Sequence, residues 1–267
     1  MRLISICPSN TEMLEYLGLI DHVVAVDDFS DWPNEVNNLP RLGPDLSIDM
    51  DKLESFNPDL VVASLSVPGM ERNVEALKER NIPHIVLNPN SLEDIANDLL
   101  ALGKATNTLE QATIVVGKFK NIINEYQNLS KSIEKKSYYW EWWPKPVFTP
   151  GKKNWLTEIS ALAGGYNLFS DKAEASIQTT WADVHSRNPD RICLVWVGVK
   201  QEKMNPKLIR SRPGWSDLPA VKDDKIYILE EQLFCRPSPR LLLGLKKLAT
   251  TMHPSHFPVD DGIDPLK

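Results

Sequence analysis

The sequence lacks the features that would place it in a membrane or on nucleic acid. No run of about 18 apolar residues occurs, so no transmembrane helix is predicted. Thirty Lys and Arg residues against 36 Asp and Glu residues give a formal net charge of −6, which argues against a nucleic-acid-binding surface. The one group of cations, residues 131–136, contains Glu134 and ends a predicted helix, where cations suit the helix dipole. An apolar share of 42% is that of a globular protein.

Cysteines and catalytic motifs are also scarce. The three cysteines, Cys7, Cys193 and Cys235, are an odd number without metal-type spacing. Cys7 and Cys193 lie in predicted buried strands, where a free cysteine behaves as a small hydrophobic residue. The Gly-x-Ser-x-Gly, Gly-x-x-x-x-Gly-Lys and His-Glu-x-x-His motifs are absent, and the five histidines are scattered. The sequence therefore predicts neither an enzyme nor a metal site.

A secretory signal is missing as well. Such a signal needs a charged start followed by an apolar segment, but the apolar residues 3–7 stop at Pro8 and predict a first strand. If Met1 is the native start, we expect a cytoplasmic protein. A chain from which an export segment had been removed would look the same, and it would be an extracellular or periplasmic lipoprotein.

The most informative feature that is present is a unit that occurs twice. Asn-Pro-Asp at residues 57–59 precedes an apolar stretch, and the same tripeptide at residues 188–190 precedes another. Each copy continues with a helix-compatible segment and a short strand, at residues 84–87 and 225–229. This alternation predicts parallel strands with helices on the sheet faces. The predicted fold class is α/β: two Rossmann-like lobes with largely parallel central sheets, joined by one long α-helix, with a ligand cleft between the lobes.

The connecting helix is predicted from a proline-free segment at residues 107–135. Its apolar residues recur at spacings of three and four, which marks an amphipathic helix. At a rise of 1.5 Å per residue, roughly 29 residues would span about 43 Å. The predicted domains are an N-terminal α/β lobe at residues 1–104, a connecting helix at 105–136 and a C-terminal α/β lobe at 137–267.

Tryptophan is unusually frequent, with eight residues in the chain. Large rigid aromatic faces at the ends of strands suit a planar or macrocyclic ligand. We expect Trp140, Trp155 and Trp196 to fill cores. The aromatic residues predicted to face the cleft are Trp32, Trp142, Phe148 and Phe234.

The segment that leaves the last predicted strand is a second candidate for binding. Open α/β sheets bind ligands outside the carboxyl ends of their strands. We expect Arg236 in this segment to meet a polar rim of the ligand. The segment consists of Gln232, Leu233, Phe234, Cys235 and Arg236.

Several short motifs occur together in a characteristic order. They are residues 9–12, 30–33 and 39–43, both Asn-Pro-Asp units, residues 163–165 with 167–169, and residues 236–240. Over nearly its whole length the chain resembles the cobalamin, siderophore and haem branch of the ABC-transporter substrate-binding proteins, and within it the cobalamin-binding members. The resemblance implies two Rossmann-like lobes, a rigid connecting helix and a base-on corrinoid held in the cleft.

The resemblance also implies roles for single residues. Trp32 stands where the cobalamin binders place an aromatic residue against the ligand, and Phe169 matches a cleft aromatic residue. Residues 232–236 match the binding loop of the second lobe. Glu71 matches the first-lobe carboxylate that docks on arginines of the membrane permease.

The chain departs from the family pattern at several positions. Two cleft tryptophans of the family correspond to Ser64 and Val86, and an acidic residue of the binding loop corresponds to Gln232. The second docking carboxylate falls at about Ala182, next to Asp183, which we take as its replacement.

The predicted function is that of a non-catalytic substrate-binding protein without a cofactor of its own. It would hold cobalamin or a related corrinoid and belong to, or derive from, an ABC import system with a permease partner. Two alternatives stay open: a ferric-siderophore or haem binder of the same fold, and a cytosolic corrinoid-handling or salvage protein without a transporter.

Overall fold

A computed structural model describes residues 1–267, and the chain divides into two compact units. Unit 1 comprises residues 1–120 with 237–239 and 266–267, and unit 2 comprises residues 121–236 with 240–265. None of the helices combines the length and the apolar character needed to cross a membrane. The domain boundaries predicted after residues 104 and 136, and the predicted cleft, stay predictions.

Unit 1 is built on a four-stranded parallel sheet with helices between its strands. The strand order is β2-β1-β3-β4. The strands are β1 (Leu3–Ser5), β2 (Val23–Val26), β3 (Leu60–Ser64) and β4 (His84–Leu87). The helices are α1 (Pro8–Tyr16), α2 (Met50–Ser55), α3 (Glu71–Glu79) and α4 (Leu92–Ala105).

Local sequence explains where these helices begin. Pro8 occupies the first turn of α1, where its missing N–H costs nothing. The side chains of Asp49 and Ser91 cap α2 and α4 by accepting hydrogen bonds from the amides of Lys52 and Asp94.

The long helix that follows, α5 (Leu109–Leu129), has 21 residues. The predicted length of about 29 residues was wrong, because the helix begins only after the left-handed Asn107 and ends in a 3-10 turn at Ser130–Ser132. At 1.5 Å per residue it is about 32 Å long. The predicted amphipathic pattern is confirmed at Phe119 and Tyr126, which are buried. The boundary between the two units falls within α5.

Unit 2 contains a second parallel sheet and a small antiparallel one. The parallel sheet has the order β11-β10-β5-β8 and the antiparallel sheet the order β6-β7-β9. The strands are β5 (Lys136–Glu141), β6 (Trp143–Pro144), β7 (Val147–Pro150), β8 (Gly165–Asn167), β9 (Ser176–Thr179), β10 (Arg191–Leu194) and β11 (Ile226–Ile228). The helices are α6 (Trp155–Leu162), α7 (Trp181–Arg187), α8 (Lys207–Arg210), α9 (Pro219–Lys222), α10 (Glu231–Phe234) and α11 (Leu241–Met252).

The two parallel sheets share one topology. When the strands of each parallel sheet are numbered from 1 to 4 in chain order, unit 1 has the order 2-1-3-4 and unit 2 has the order 4-3-1-2. The second order is the first one read from the opposite edge. The predicted α/β class with two parallel sheets and one long helix between them in the chain is therefore confirmed.

The repeated Asn-Pro-Asp unit makes the same turn in both units. Asn57 and Asn188 adopt left-handed φ angles of 45° and 48°; Asn188 directly follows α7, and Asn57 follows α2 after the intervening Phe56. Each aspartate then binds the backbone at the start of its unit's first strand: Asp59 Oδ2 accepts from the Arg2 amide at 2.6 Å, and Asp190 Oδ2 from the Ser137 amide at 2.8 Å. The tripeptide thus ends a helix and aligns the third strand with the first.

A buried ion pair lies in unit 2 at the end of β5. The guanidinium of Arg212 donates to both carboxylate oxygens of Glu141, at 2.6 and 2.8 Å, and the Glu141 side chain has no exposed surface. Tyr139 Oη and Trp196 Nε1 also donate to this carboxylate, at 2.7 and 3.1 Å. The guanidinium carbon of Arg212 lies 4.6 and 4.5 Å from the ring centroids of Trp181 and Trp215. Charge, hydrogen bonds and aromatic contacts therefore converge on one arginine.

Two of the three thiols are confirmed as buried. Cys7 follows β1 and Cys193 lies in β10, and both are almost fully enclosed. Burial raises the pKa of the Cys7 thiol to about 11 and also raises that of Cys193. Burial disfavours the charged thiolate, so both residues are inert packing groups.

The last fifteen residues contain no helix or strand, yet parts of them are well packed. In unit 2, the Phe257 ring stacks on Tyr126 with centroids 5.4 Å apart. In unit 1, Leu266 is buried and its carbonyl accepts from Lys118 Nζ at 3.5 Å. Apolar side chains along this segment thus find buried positions, which anchor it at these two points.

The left-handed asparagines give a matched pair of tests. We expect Asn57→Gly and Asn188→Gly to leave the free energy of unfolding nearly unchanged, since glycine adopts this conformation without steric cost. Asn57→Ala and Asn188→Ala should each lower it by about 1 kcal/mol, because a Cβ is strained there. Urea unfolding of the four variants checks this, and equal values for Gly and Ala would contradict the assigned role.

The buried pair predicts strong non-additivity. Glu141→Gln or Arg212→Met alone leaves one buried charge uncompensated and should cost about 3–5 kcal/mol of unfolding free energy. The double variant removes both charges, so it should lose clearly less than the sum of the single losses. Urea unfolding of the three variants measures this coupling, and simple additivity would show that the two groups act independently.

Candidate functional site

The topology of each sheet marks one position at which open α/β sheets usually bind a ligand. In unit 2 the chain leaves β5 for β8 on one side and later returns to β10 on the other side. The connections after β5 and β10 therefore diverge, and open α/β sheets bind ligands in the crevice outside the carboxyl ends of such strands. In unit 1 the same switch lies between β1 and β3.

Two tryptophans follow the diverging strands of unit 2. Trp142 comes directly after β5, and Trp196 comes two residues after β10. The Val197 amide donates to the Trp142 carbonyl at 3.1 Å, which holds the two exits together. Trp196 is buried and bonded to Glu141, as expected for a core residue, whereas Trp142 keeps part of its surface exposed. Of the two, Trp142 is the more exposed, and its contact with a ligand stays a prediction.

The ring of Trp142 is fixed against the start of α6. Its centroid lies 6.3 Å from that of Trp155, with the planes tilted by 38°. Trp155 Nε1 in turn donates to the Phe234 carbonyl at 2.8 Å. This chain of contacts connects Trp142 to the predicted binding segment at residues 232–236.

The predicted binding segment is short helix rather than loop at its start, since α10 covers Glu231–Phe234. Gln232 and Cys235 are partly exposed, whereas Leu233 is buried. The Cys235 thiol donates to the Val195 carbonyl at 3.5 Å, and burial raises its pKa well above the ordinary value. Arg236 Nη2 contacts Glu231 Oε2 at 3.3 Å and is 9% exposed. Gln232 and Cys235 are therefore the residues of this segment that keep exposed surface, and neither is charged.

Phe169 and Phe234, both predicted to face a ligand, have no exposed surface. Phe234 packs on Trp140 with centroids 5.5 Å apart, and a Cβ at Gly244 would lie 3.2 Å from its ring. The Phe169 ring lies 4.3 Å from the Arg187 guanidinium carbon. In this conformation both rings contribute to packing, and their contact with a ligand stays a prediction that needs them to be uncovered.

Phe148 lies in the small antiparallel sheet. It pairs with Trp143 of β6 and Gln178 of β9 and is partly exposed. Its carbonyl accepts from the Trp142 amide at 2.9 Å. Phe148 and Trp142 are therefore neighbours, as their joint assignment to a binding face requires.

In unit 1, a network of buried hydroxyl and carboxyl groups holds the loop that leads to Trp32. The Thr11 hydroxyl lies 2.7 Å from the Ser30 hydroxyl, which donates to Asp27 Oδ1 at 2.5 Å. Burial raises the pKa of the Asp27 carboxyl to about 6. Arg41 Nη1 donates to the carbonyls of Asp27 and Ser30, at 2.9 and 2.5 Å. The loop before Trp32 is thus held by buried polar contacts.

Trp32 itself lies beside the end of α1. Its ring centroid is 5.6 Å from that of Tyr16, the last residue of this helix, and Lys267 Nζ lies 4.4 Å from its centroid. Lys267 Nζ also contacts Glu15 Oε1 at 2.7 Å. The ring is partly exposed. Contact of Trp32 with a ligand stays a prediction.

The two predicted docking acids differ in their surroundings. Glu71 is exposed at the start of α3, and its Oε2 accepts from the Gly69 amide at 2.7 Å. Asp183 accepts from Thr179 Oγ1 at 2.7 Å and pairs with Arg187 Nε at 3.2 Å. Glu71 is therefore the more available carboxylate of the two.

The sequence reasoning missed Glu141 and Arg212, which order the carboxyl edge of the unit 2 sheet. A signal was present, because strand alternation places Glu141 on the same face as Tyr139, which packs in the core. A charged residue on a buried face implies a buried partner, but the sequence does not show that Arg212, 71 residues away, supplies it.

Comparisons with known proteins agree with this architecture. The structure of the periplasmic vitamin B12-binding protein BtuF of Vibrio cholerae matches with a TM-score of 0.77 and 25% identity, covering 93% of this chain and 95% of that one. A periplasmic haem-binding protein from Pseudomonas aeruginosa matches with a TM-score of 0.84 at 19% identity, covering 97% and 94%, and so shows the fold alone.

Sequence comparison gives the family. The ABC transporter substrate-binding lipoprotein YvrC of Bacillus subtilis, whose function is uncharacterised, is 30% identical, and the match covers 96% of this chain and 81% of that protein. The model of the periplasmic binding protein family matches residues 3–233. With two parallel sheets of one topology and this match, the chain belongs to the periplasmic binding protein family, whose members serve ABC transporters.

Proposed function

We propose that this protein is a non-catalytic substrate-binding protein for cobalamin or a related corrinoid. The observation that carries the proposal is the partly exposed Trp142 at the switch point of the unit 2 sheet. Trp142 packs on Trp155, and the indole N–H of Trp155 is bonded to Phe234 in the segment that contains the uncharged Gln232 and Cys235. A corrinoid is a large macrocycle with amide-bearing side chains, so it needs aromatic surface and neutral hydrogen-bonding partners. The similarity to a vitamin B12-binding protein supports the same ligand class.

Haem binding is the alternative of the same fold, and the placement of the histidines speaks against it. Haem iron needs an axial side chain such as histidine. His22 and His84 lie at the amino ends of β2 and β4. His185 Nε2 lies 3.0 Å from the Gly214 carbonyl, and His253 Nε2 lies 3.2 Å from Tyr138 Oη near Gly164, which precedes β8. These histidines adjoin amino ends of strands or neighbouring turns, away from the carboxyl edges where a ligand is expected. The fifth, His256, lies beside His253, with ring centroids 6.1 Å apart.

A ferric siderophore is disfavoured by charge. Anionic siderophores require cations at the site, and the arginine of the binding segment, Arg236, already contacts Glu231.

The salvage alternative differs in partner rather than in ligand. Delivery to an import permease requires a location on the outer side of the membrane, so permease docking through Glu71 and an extracellular or periplasmic location stand together in this proposal.

Ligand titration tests the proposal. We expect cyanocobalamin to bind with a micromolar or lower Kd, which corresponds to roughly 8 kcal/mol or more, and to quench tryptophan fluorescence. Haem and an anionic ferric catecholate siderophore should bind at least tenfold more weakly. Calorimetry and fluorescence with the same protein preparation provide the values. Absence of cobalamin binding at ~100 μM would sink the assignment.

Charge reversal at Glu71 tests the docking role. Glu71→Lys should strongly reduce the rate at which the loaded protein stimulates ATP hydrolysis by its partner permease in proteoliposomes, because it replaces attraction to arginines by repulsion. Glu75→Lys, one turn further along α3 and also exposed, is the matched control and should have a smaller effect. Equal effects of both substitutions would argue against a specific contact at Glu71.

A further inference from the structure

We propose that the indole N–H of Trp142 donates a hydrogen bond to a neutral carbonyl oxygen of the ligand and thereby selects corrinoids with amide side chains over those with free acids. The inference rests on the proposed corrinoid-binding function and deepens it.

The donor itself is the first observation. Trp142 Nε1 is buried and has no hydrogen-bond partner within the protein. A buried N–H without a partner destabilises the folded protein, and such groups are rare in native structures. By contrast, the indole N–H of the neighbouring Trp143 reaches the Lys145 carbonyl at 3.0 Å, and that of Trp155 reaches the Phe234 carbonyl at 2.8 Å. Trp142 thus carries an energetic cost that Trp143 and Trp155 avoid, and Trp181 Nε1 at the start of α7 carries the same cost. The position of the donor must therefore decide which of these groups meets a ligand.

The position of this donor is the second observation. Trp142 follows β5 at the switch point of the sheet, and its backbone is bonded on both sides, to the Phe148 carbonyl and from the Val197 amide. Trp155 supports its ring. These contacts hold the ring in place, so a ligand must displace the groups that cover the N–H in order to reach it. The unpartnered N–H therefore lies where the fold favours ligand binding. This is the position expected for a donor whose hydrogen-bond partner is supplied by the ligand.

The charge around the donor determines the kind of acceptor. Glu141, the preceding residue, is neutralised by Arg212, so the pair brings no net charge to this edge. An indole is a neutral donor, so it supplies no positive charge to compensate a carboxylate buried against it. The amide carbonyl of a corrinoid side chain meets the same N–H without that penalty. The arrangement therefore favours an amide over an acid at this point of the ligand.

The test replaces Trp142 with 3-benzothienylalanine by stop-codon suppression, because sulfur in place of the N–H keeps the shape of the ring. The Kd for cyanocobalamin should rise by about tenfold, the scale of one lost hydrogen bond. The melting temperature of the ligand-free protein should stay the same or rise, since an unpartnered buried donor is removed. A residue with a purely structural role would not produce this opposite pair of changes.

The same replacement at Trp143 is the matched control, and it should leave the Kd unchanged, because that N–H already has a partner within the protein. A second comparison uses dicyanocobinamide and dicyanocobyrinic acid as probes: the wild-type preference for the amide should shrink in the Trp142 variant. An unchanged Kd in that variant, with wild-type protein binding cobalamin, overturns the hydrogen bond while the proposed function survives. Failure of the wild type to bind any corrinoid overturns both.

Discussion

The ion pair between Glu141 and Arg212 is the constraint on which the edge of the unit 2 sheet depends. Both charges are removed from water, and the carboxylate gathers two further donors from Tyr139 and Trp196. Because a buried charge without its partner is costly, these groups must assemble together. Arg212 also lies against the rings of Trp181 and Trp215, so one interaction orders several large side chains. Trp142 is the next residue after Glu141, so the ion pair also holds the backbone from which the Trp142 side chain projects.

The fold could be read from the sequence where a local pattern carries the information. The strand at residues 84–87 was predicted with its observed bounds, and the two Asn-Pro-Asp units proved to make the same turn in sheets of the same topology. Apolar spacing identified α5 but overestimated its length, because periodicity continues beyond the residue at which the backbone tightens into a 3-10 turn. The antiparallel sheet was missed, since its strands have two to four residues and are paired by tertiary contacts.

The site was less accessible to sequence reasoning than the fold. Aromatic residue type and nearness to a strand end selected Trp142 and Phe148, which are neighbours and partly exposed, but the same criteria selected Phe234, which is enclosed. Whether such a residue is exposed or enclosed depends on which face of a short helix or loop turns inward. A helix of four residues, such as α10, is too short for a hydrophobic periodicity to reveal that face. Gly244 illustrates this, because α11 approaches the Leu233 carbonyl so closely that an added Cβ would lie 2.5 Å from it.

The enclosure of the thiols has a practical consequence for experiments on this molecule. Cys7 and Cys193 are shielded, and the pKa of all three cysteines is raised by burial, so maleimide dyes should react with them slowly at neutral pH. A single cysteine engineered on an exposed helix face would then be labelled selectively without first removing the natural ones. Pairs of such sites, one in each unit, would let single-molecule energy transfer follow the distance between the units while a guest arrives and leaves.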